Sequence, residues 1–564
     1  MSARFSVFPH SGGGFRSRNH SARDISVPGR APAPTYRHAA PSGPWPWMDF
    51  DADFPVVESP VSVPGVDGKR WMGYPQNLFG NWTPDQVRRS KMLSGCSQSD
   101  VCWVHKVDVF DDGGFEENVE DQTAEVVTDR AEEFWDRVNV PRPENIRIRA
   151  LFVDNMTEPV LQILGTRYVV EPFFFSSSMN WIPSRYQEEV KPGEGDHITI
   201  TLPFIRTMQN PRTRPPSLAS AAASFRHVQL TRLPLPFGEE HQVIDTQAPL
   251  ILRSTNNILL QDLLAIHMVR NTKSSTIISY HPSSSLRRTS AKRLHSLIRR
   301  TGESVYWSKI FASSRDPTFL FLCFLWYALY AWDEAFEVLY AHINWLESRV
   351  LSTNDIHLTR ELHILQAHLL HYQSLLQDFR KSVVFVQTTP NPAMGDPSVT
   401  DAERQTSADL LQKETGNLLS EIDRLEGQRN MQSNRLKNVM DLAFATVNID
   451  DSRHMKRLTQ ATVRDSAAMK QISYLTMVFL PASLIAGVFG MNVKEINQGT
   501  NETLAHYIEA TLALMLFTAW LVIALQTHSN FHPKGCSVWR RVGWPIFYAS
   551  ERIAAKKMRF GKRI

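Results

Sequence analysis

Residues 472–492 read ISYLTMVFLPASLIAGVFGMN, an uncharged and mostly apolar stretch that ends in Gly490-Met491-Asn492. A second, shorter apolar stretch follows at residues 510–525. A helix of about 20 predominantly apolar residues is long enough to cross the hydrocarbon core of a bilayer. The two stretches therefore predict transmembrane helices at residues 471–491 and 507–527, joined by an external loop at residues 492–506.

The composition predicts that most of the 564-residue chain is water-soluble. Charged residues make up 21% of the chain, and the formal net charge is only +4. Because the basic residues are distributed along the chain, nucleic acid is not expected as a partner. Four scattered cysteines do not suit a disulfide framework and fit a reducing compartment. The sequence has no P-loop, nucleophile elbow or zinc-protease motif, so neither an enzyme activity nor a cofactor is expected.

The N-terminal residues 1–65 are rich in Ser, Gly, Pro and Arg, a composition typical of a disordered tail. Mitochondrial targeting peptides are also rich in Arg and poor in acids. Pro and Gly interrupt any amphipathic helix in this tail, so we expect a disordered segment rather than a targeting helix.

Residues 66–385 are expected to form a cytosolic α/β and helical domain. Alternating apolar residues predict half-buried strands at residues 146–153, 197–202 and 276–280. The uncharged run at residues 318–332 is shorter than the roughly 20 residues that a span requires. We therefore expect a buried core helix there, with a third membrane span as the alternative.

A proline-containing linker at residues 386–401 precedes a long segment that has no proline before Pro481. This segment predicts a stalk helix over residues 402–470 that leads into the first transmembrane helix. A helix of such length needs partners to be stable. The fold class is thus an α+β membrane protein with an α/β cytosolic N-terminal domain, a long stalk helix and two C-terminal transmembrane helices.

A stripe of uncharged residues follows one face of this predicted helix at the 3.5-residue repeat of a supercoiled bundle. Its members are small, hydroxylated or flexible: Met455, Thr459, Thr462, Ser466, Met469, Ser473, Thr476, Leu480, Ser483, Gly487 and Gly490. Close packing of membrane helices favours small and hydroxyl residues. A bundle of identical helices around a water-filled path favours the same residues. The stripe alone does not separate these two interpretations.

The sequence Gly490-Met491-Asn492 at the end of the stripe favours the pore. Mg²⁺ releases its water shell reluctantly and prefers oxygen ligands. A ring of neutral Asn492 amide oxygens would accept hydrogen bonds from the waters of the ion without stripping them. Conduction requires binding that is not too tight, and a neutral ring meets that need better than a ring of carboxylates.

From residue 436 to residue 525 the chain resembles the CorA family of divalent-cation channels, as a eukaryotic, fungal-type member. The residues that carry the resemblance are the long stalk, Pro481 within the first span, the sequence from Ala486 to Asn492, and the second span. The resemblance implies a homopentamer in a lipid bilayer that transports divalent cations, most often Mg²⁺. It also implies a selectivity ring of Gly490, Met491 and Asn492, and a pore lined by Met469, Ser473, Thr476, Leu480 and Ser483.

The chain departs from the pattern of this family in the loop that follows the motif. Phe489 replaces the usual Tyr, and the loop lacks the Met-Pro-Glu-Leu sequence of bacterial members. Glu495 and Glu502 could concentrate cations at the entrance, although a solvated loop is the alternative interpretation. Zn²⁺ or Co²⁺ transport of the ZntB type therefore stays open, as does a non-conducting interaction or sensor protein on a CorA-like scaffold.

Positive charge on both flanks of the predicted hairpin indicates its orientation. The C-terminal tail, residues 528–564, is basic, and the stalk carries Lys456, Arg457, Arg464 and Lys470 near the first span. Basic flanks face the cytosol, so both termini are expected there. The plasma membrane is the expected location, with the mitochondrial inner membrane as the alternative.

Overall fold

This computed structural model describes residues 30–32, 40–43, 70–116, 123–210, 244–282, 289–352, 356–490, 499, 503–525 and 537–561. Two compact units divide the chain, Met1–Phe444 and Ala445–Ile564, and the boundary between them falls within one long helix.

A mixed β-sheet of eight strands forms the centre of the first unit. Its strands are β1 (Val101–Phe110), β2 (Thr123–Val127), β3 (Ile146–Asp154), β4 (Ser184–Lys191), β5 (Gly195–Gln209), β6 (Leu250–Leu252), β7 (Asn257–Arg270) and β8 (Ser275–His281). They lie in the order β2-β1-β3-β8-β7-β5-β4, with β6 paired to β7. Only β3 and β8 pair in parallel among these strands. The three predicted strands fall within β3, β5 and β8 and are confirmed.

Four short helices cover one face of the sheet. They are α1 (Pro84–Ser90), α2 (Ala131–Asn139), α3 (Glu158–Tyr168) and α4 (Pro172–Asn180). Phe134 of α2, Leu161 of α3 and Phe174 of α4 share an apolar cluster with Val153 and Ala265 of the sheet. Alternate residues of a strand point to the same face. The strand residues in this cluster are therefore those that point towards the short helices.

Further helices, most of them longer, cover the opposite face. They are α5 (Ala291–Gly302), α6 (Val305–Ser313), α7 (Thr318–Ser352), α8 (Ile356–Thr388) and the first part of α9 (Asp401–Phe489). Phe152 and Phe204 of the sheet share an apolar cluster with Phe324 of α7, Leu376 of α8 and Leu418 of α9. A 3-10 turn at Pro392–Gly395 lies between α8 and α9, within the predicted linker.

The apolar run at residues 318–332 belongs to this core. Three described helices are long and apolar enough to cross a membrane, namely α7, α9 and α10, and 72% of the apolar window of α7 is buried inside the unit. The corresponding shares are 6% for α9 and 0% for α10. The prediction of a buried helix is therefore confirmed for α7, because the rest of the unit already covers its apolar surface.

Gly195 brings the start of β5 unusually close to the end of β7. Its φ angle is +153°, and a Cβ at this position would lie 1.9 Å from the carbonyl oxygen of Arg270. A side chain would therefore separate the two strands. The close approach places Asp196 beside Arg270, and both residues are buried.

Two short segments of the tail that we predicted to be disordered pack against the first unit. Ala31 is buried, and its N–H donates to the carbonyl oxygen of Gln247 at 3.1 Å. Arg30 forms an ion pair with Asp245 at 2.7 Å. At these positions the prediction of disorder is wrong, because contacts with residues more than 200 positions away in sequence are not visible in local composition. The rest of residues 1–65 lies outside the described residues.

The second unit contains the end of α9, followed by α10 (Leu504–Leu525), α11 (Val538–Val542) and α12 (Trp544–Gly561). α9 continues without interruption through residue 470, the predicted boundary between the stalk and the first span. Pro481 lies inside the helix, where it cannot donate a backbone hydrogen bond. Residues 537–561 of the predicted basic tail are largely helical.

Candidate ion pathway

The predicted pore residues lie on one face of α9. An α-helix turns by about 100° per residue, so Met469, Ser473, Thr476, Leu480 and Ser483 fall within an arc of about 80°. The structure thus places these five residues along one line of the helix. It places no ring of such residues, since a ring requires further copies of the chain.

Apolar side chains cover the rest of this part of α9 and are exposed in the single chain. The exposed fractions are 68% for Met469 on the stripe, and 64% for Ile472 and 57% for Leu484 beside it. A helix that is apolar all round is stable only inside a larger bundle or a membrane. The end of α9 therefore needs an environment that a single chain in water does not supply.

The hydroxyl groups on the stripe are oriented by the helix backbone. Ser473 donates to the carbonyl oxygen of Met469 at 2.9 Å, and Thr476 donates to that of Ile472 at 2.9 Å. Ser483 donates to the carbonyl oxygen of Leu480 at 3.0 Å. Because each hydroxyl proton is used in this way, the oxygen lone pairs stay available as acceptors. The waters around a hydrated cation present protons, and such acceptors match them.

Gly490 follows the last residue of α9 and has a left-handed backbone conformation. Its φ angle is +37°, which favours glycine, and its N–H donates to the carbonyl oxygen of Ala486 at 2.8 Å. The other residues predicted for the selectivity ring and the entrance lie outside the described residues: Met491, Asn492, Glu495 and Glu502.

An aromatic contact joins α9 to α10 beside the motif. The rings of Phe489 and Tyr507 pack edge to face, with centroids 6.0 Å apart. Tyr507 also borders a groove lined by Thr476, Leu480 and Ser483 of the stripe. The sequence pointed to Phe489 as a departure from the family pattern, but it gave no indication of this partner.

A separate cluster of candidate metal ligands in the first unit was not foreseen from the sequence. Glu188, His197 and His267 each offer one ligand atom, and these atoms all lie within 4.8 Å of one another. The three residues come from β4, β5 and β7. Glu188 and His197 lie on neighbouring strands of one hairpin, and only the pairing of β5 with β7 brings the distant His267 beside them. No spacing motif therefore indicates the cluster.

Comparison with known protein families identifies one match. Residues 285–525 match the CorA family, whose description is "CorA-like Mg2+ transporter protein". The matched region begins just before α5 and ends with α10, so it contains the stripe and the Gly-Met-Asn sequence. Comparison with curated proteins gives no match.

Several solved structures are similar to this chain at low sequence identity. The complete structure of the CorA magnesium transporter from Methanocaldococcus jannaschii is 14% identical, with a TM-score of 0.37, and the match covers 74% of this chain and 96% of that one. The soluble domain of the same transporter is 13% identical, with a TM-score of 0.34 and coverage of 61% and 96%. The full-length CmaX protein is 11% identical, with a TM-score of 0.33 and coverage of 76% and 98%.

Proposed function

We propose that the chain belongs to the CorA-like family, whose model matches residues 285–525, and that it transports divalent cations, principally Mg²⁺, through a channel-like pore. The observation that carries the proposal is the uncharged stripe on α9, which leads to Gly490 within the region that matches the family. A transport protein of this kind needs no catalytic residues, and we assign none.

In this proposal the stripe faces the axis of a homopentamer. Ser473, Thr476 and Ser483 offer hydroxyl oxygens to the waters of the ion, because their protons are held by backbone carbonyls. Met469 and Leu480 form apolar constrictions, which hold the path closed when it is dry. The exposed apolar faces beside the stripe contact neighbouring copies and lipid.

The selectivity ring is formed by Asn492, supported by Gly490 and Met491. Mg²⁺ keeps several of its waters when it binds to proteins. The neutral amide oxygens accept hydrogen bonds from these waters, so that the ion is recognised through its hydration shell. Glu495 and Glu502 raise the cation concentration at the entrance.

The proposed topology places both termini in the cytosol and the loop between α9 and α10 outside. Basic residues flank the hairpin on its inner side. The membrane potential then drives uptake, since a divalent ion gains roughly 4.6 kcal/mol from 100 mV. We propose the plasma membrane as the location.

Uptake into liposomes tests the proposal. Purified protein is reconstituted with a Mg²⁺-sensitive dye inside, and the wild type is compared with Asn492→Ala and with the control Asn497→Ala in the same loop. We expect uptake by the wild type and the control, and little uptake by Asn492→Ala. Absent uptake by the wild type would identify a non-conducting scaffold, whereas preferred uptake of Zn²⁺ or Co²⁺ would overturn the choice of Mg²⁺.

A further inference from the structure

Glu188, His197 and His267 lie on the same face of the sheet, under α4. In the pairing of β4 with β5, Glu188 is directly opposite His197. In the pairing of β5 with β7, Thr199 is directly opposite His267. Opposed residues on neighbouring strands share a face, as do residues two apart on one strand. The register of three strands therefore brings one carboxylate and two imidazoles together.

Each residue of this cluster has a buried polar atom that lacks the partner such atoms normally have within the described part of the chain. Glu188 Oε1, His197 Nδ1 and His267 Nε2 are buried, and none has a hydrogen-bond partner among the residues that the structure describes. His267 is 0% exposed, whereas Glu188 and His197 are half-buried. An unsatisfied buried polar atom destabilises a fold, so three in one place call for a shared partner.

We propose that these three residues bind a divalent cation of the Zn²⁺ class, at a site in the first unit that is separate from the proposed pore. Two imidazole nitrogens and one carboxylate oxygen form a three-residue set that zinc accepts, with a water in the fourth position. Imidazole ligands select zinc, copper, nickel or cobalt over Mg²⁺, which prefers oxygen ligands alone. The chemistry of this site is thus different from that of the Asn492 ring.

The geometry is close to that of a bound ion. The ligand atoms of a tetrahedral zinc centre lie roughly 3.4 Å apart, so the three atoms would approach one another by on the order of 1 Å. The rings of His197 and His267 already lie 5.4 Å apart at an angle of 81°. Side-chain rotations of the half-buried Glu188 and His197 can supply this movement while His267 stays in place.

Neighbouring side chains hold His267 in the orientation that such a site needs. Thr199 Oγ1 lies 2.8 Å from His267 Nδ1. When Nδ1 donates this hydrogen bond, Nε2 carries the lone pair that binds a metal. The ring of Phe174, with its centroid 5.5 Å from that of His267, packs against the imidazole.

Acidic side chains surround the cluster. Glu171 and Glu189 both lie close enough to Glu188 to interact with it electrostatically. A bound cation would offset the negative charge of these neighbours. The competing arrangement is a protonated Glu188 that hydrogen-bonds to a histidine after a small rotation, with no ion present.

Cobalt spectroscopy on the full-length protein in detergent separates these two arrangements. Tetrahedral Co²⁺ absorbs strongly in the visible range, whereas a hydrated octahedral ion in the pore absorbs weakly. We expect the metal-free wild type to take up about one tetrahedral Co²⁺ per chain, to lose the band when Zn²⁺ is added, and to keep it in excess Mg²⁺. Absence of the band in the wild type would overturn the proposal whether or not any variant folds.

Variants locate the site. Glu188→Gln and His267→Gln should weaken Zn²⁺ binding by at least about 100-fold, and Thr199→Val by about 10–100-fold through loss of the orienting hydrogen bond. The control His363→Gln changes an exposed histidine on α8 and should bind as the wild type does. Asn492→Ala should also bind normally, so a failed pore leaves this test intact. Unchanged binding by folded Glu188→Gln and His267→Gln would refute the assignment.

Discussion

Phe489, the last residue of α9, packs edge to face on Tyr507 in the first turns of α10, with 6.0 Å between the ring centroids. The chain between these two residues contains the Gly-Met-Asn sequence. The aromatic contact therefore fixes the two ends of the proposed entrance to one another. The contact uses the ring of Phe489 and needs no hydroxyl on that residue.

The aromatic contact predicts a coupling between the two rings. Edge-to-face pairs contribute about 0.5–1.5 kcal/mol beyond the burial of their area. A double-mutant cycle with Phe489→Ala and Tyr507→Ala, followed by thermal unfolding in detergent, should therefore show non-additive losses. Tyr507→Phe should behave as the wild type does, and the control Tyr474→Ala should not couple to Phe489→Ala. Additive losses across the cycle would mean that the contact does not stabilise the hairpin.

The stripe predicts which positions of α9 face the ion path. In a background with Cys536→Ser, cysteines introduced at Ser473, Thr476 and Ser483 should react with a charged thiol reagent and lose Mg²⁺ uptake. Val478→Cys and Ile485→Cys, on the opposite side of the helix, should keep their uptake. The native Cys96 and Cys102 should not interfere, because burial raises the pKa of each to about 12 and suppresses the reactive thiolate. Equal inhibition on both faces would contradict the pore assignment of the stripe.

A buried ion pair predicts where the first unit is most sensitive to substitution. Arg270 donates to Asp196 Oδ1 at 2.6 Å and to the carbonyl oxygen of Thr389 at 2.8 Å, which ties the sheet to the end of α8. Arg270→Met leaves a buried carboxylate without its cation and should lower the free energy of unfolding by about 3–5 kcal/mol. Arg424→Met breaks a half-exposed pair with Asp333 and should cost less than about 1 kcal/mol.

Urea unfolding of the first unit measures both effects. The double variant Asp196→Leu, Arg270→Met should recover part of the loss, since it removes the unpaired charge as well. A loss from Arg270→Met no larger than that from Arg424→Met would show that the pair is not structurally important.

The lowered pKa of the buried His368 predicts that the first unit becomes less stable in acid. Burial, reinforced by His371 and opposed by Asp245, lowers the pKa of His368 to about 4, below the ordinary value of 6.5. Between these pH values the unfolded chain binds more protons than the folded chain, so the free energy of unfolding falls as the pH falls from 6.5 towards 4. Below pH 4 the free energy of unfolding should be about 3 kcal/mol lower than above pH 6.5 because of this one histidine.

His368→Leu should therefore flatten this acid dependence. At pH 7 the substitution should cost little, since His368 Nδ1 is buried without a hydrogen-bond partner among the described residues. Urea unfolding at pH 7 and pH 5 compares the variant with the exposed control His363→Gln, which should keep the wild-type slope. If the free energy of unfolding of His368→Leu changes with pH as much as that of the wild type, His368 is not the cause of the acid dependence.

Local sequence patterns predicted the elements whose structure depends on local periodicity. Alternation identified β3, β5 and β8, because a half-buried strand exposes every second residue. The length of the run at residues 318–332 distinguished the buried α7 from a membrane span. The spacing of Met469, Ser473, Thr476, Leu480 and Ser483 places them on one face of α9, whereas their role as pore-lining residues stays a prediction.

Features that depend on pairing between distant segments could not be predicted in this way. The cluster of Glu188, His197 and His267 exists only because β5 pairs with both β4 and β7 in one register. A shift by one residue would turn a ligand to the opposite face of the sheet. The ion pair of Arg30 with Asp245 joins residues that are likewise distant in sequence. Composition and periodicity carry no information about such partners.

Potential-driven Mg²⁺ flux into liposomes shows directly whether the chain forms a pore that contains Asn492. A K⁺ gradient with valinomycin sets the potential, and the dye reports Mg²⁺ entry without any nucleotide present. Uptake by the wild type should rise steeply as the interior becomes negative, since 100 mV supplies roughly 4.6 kcal/mol to a divalent ion. Asn492→Ala should abolish this uptake. A flux that does not depend on the membrane potential, or that is unchanged in Asn492→Ala, would contradict a pore with a ring of Asn492.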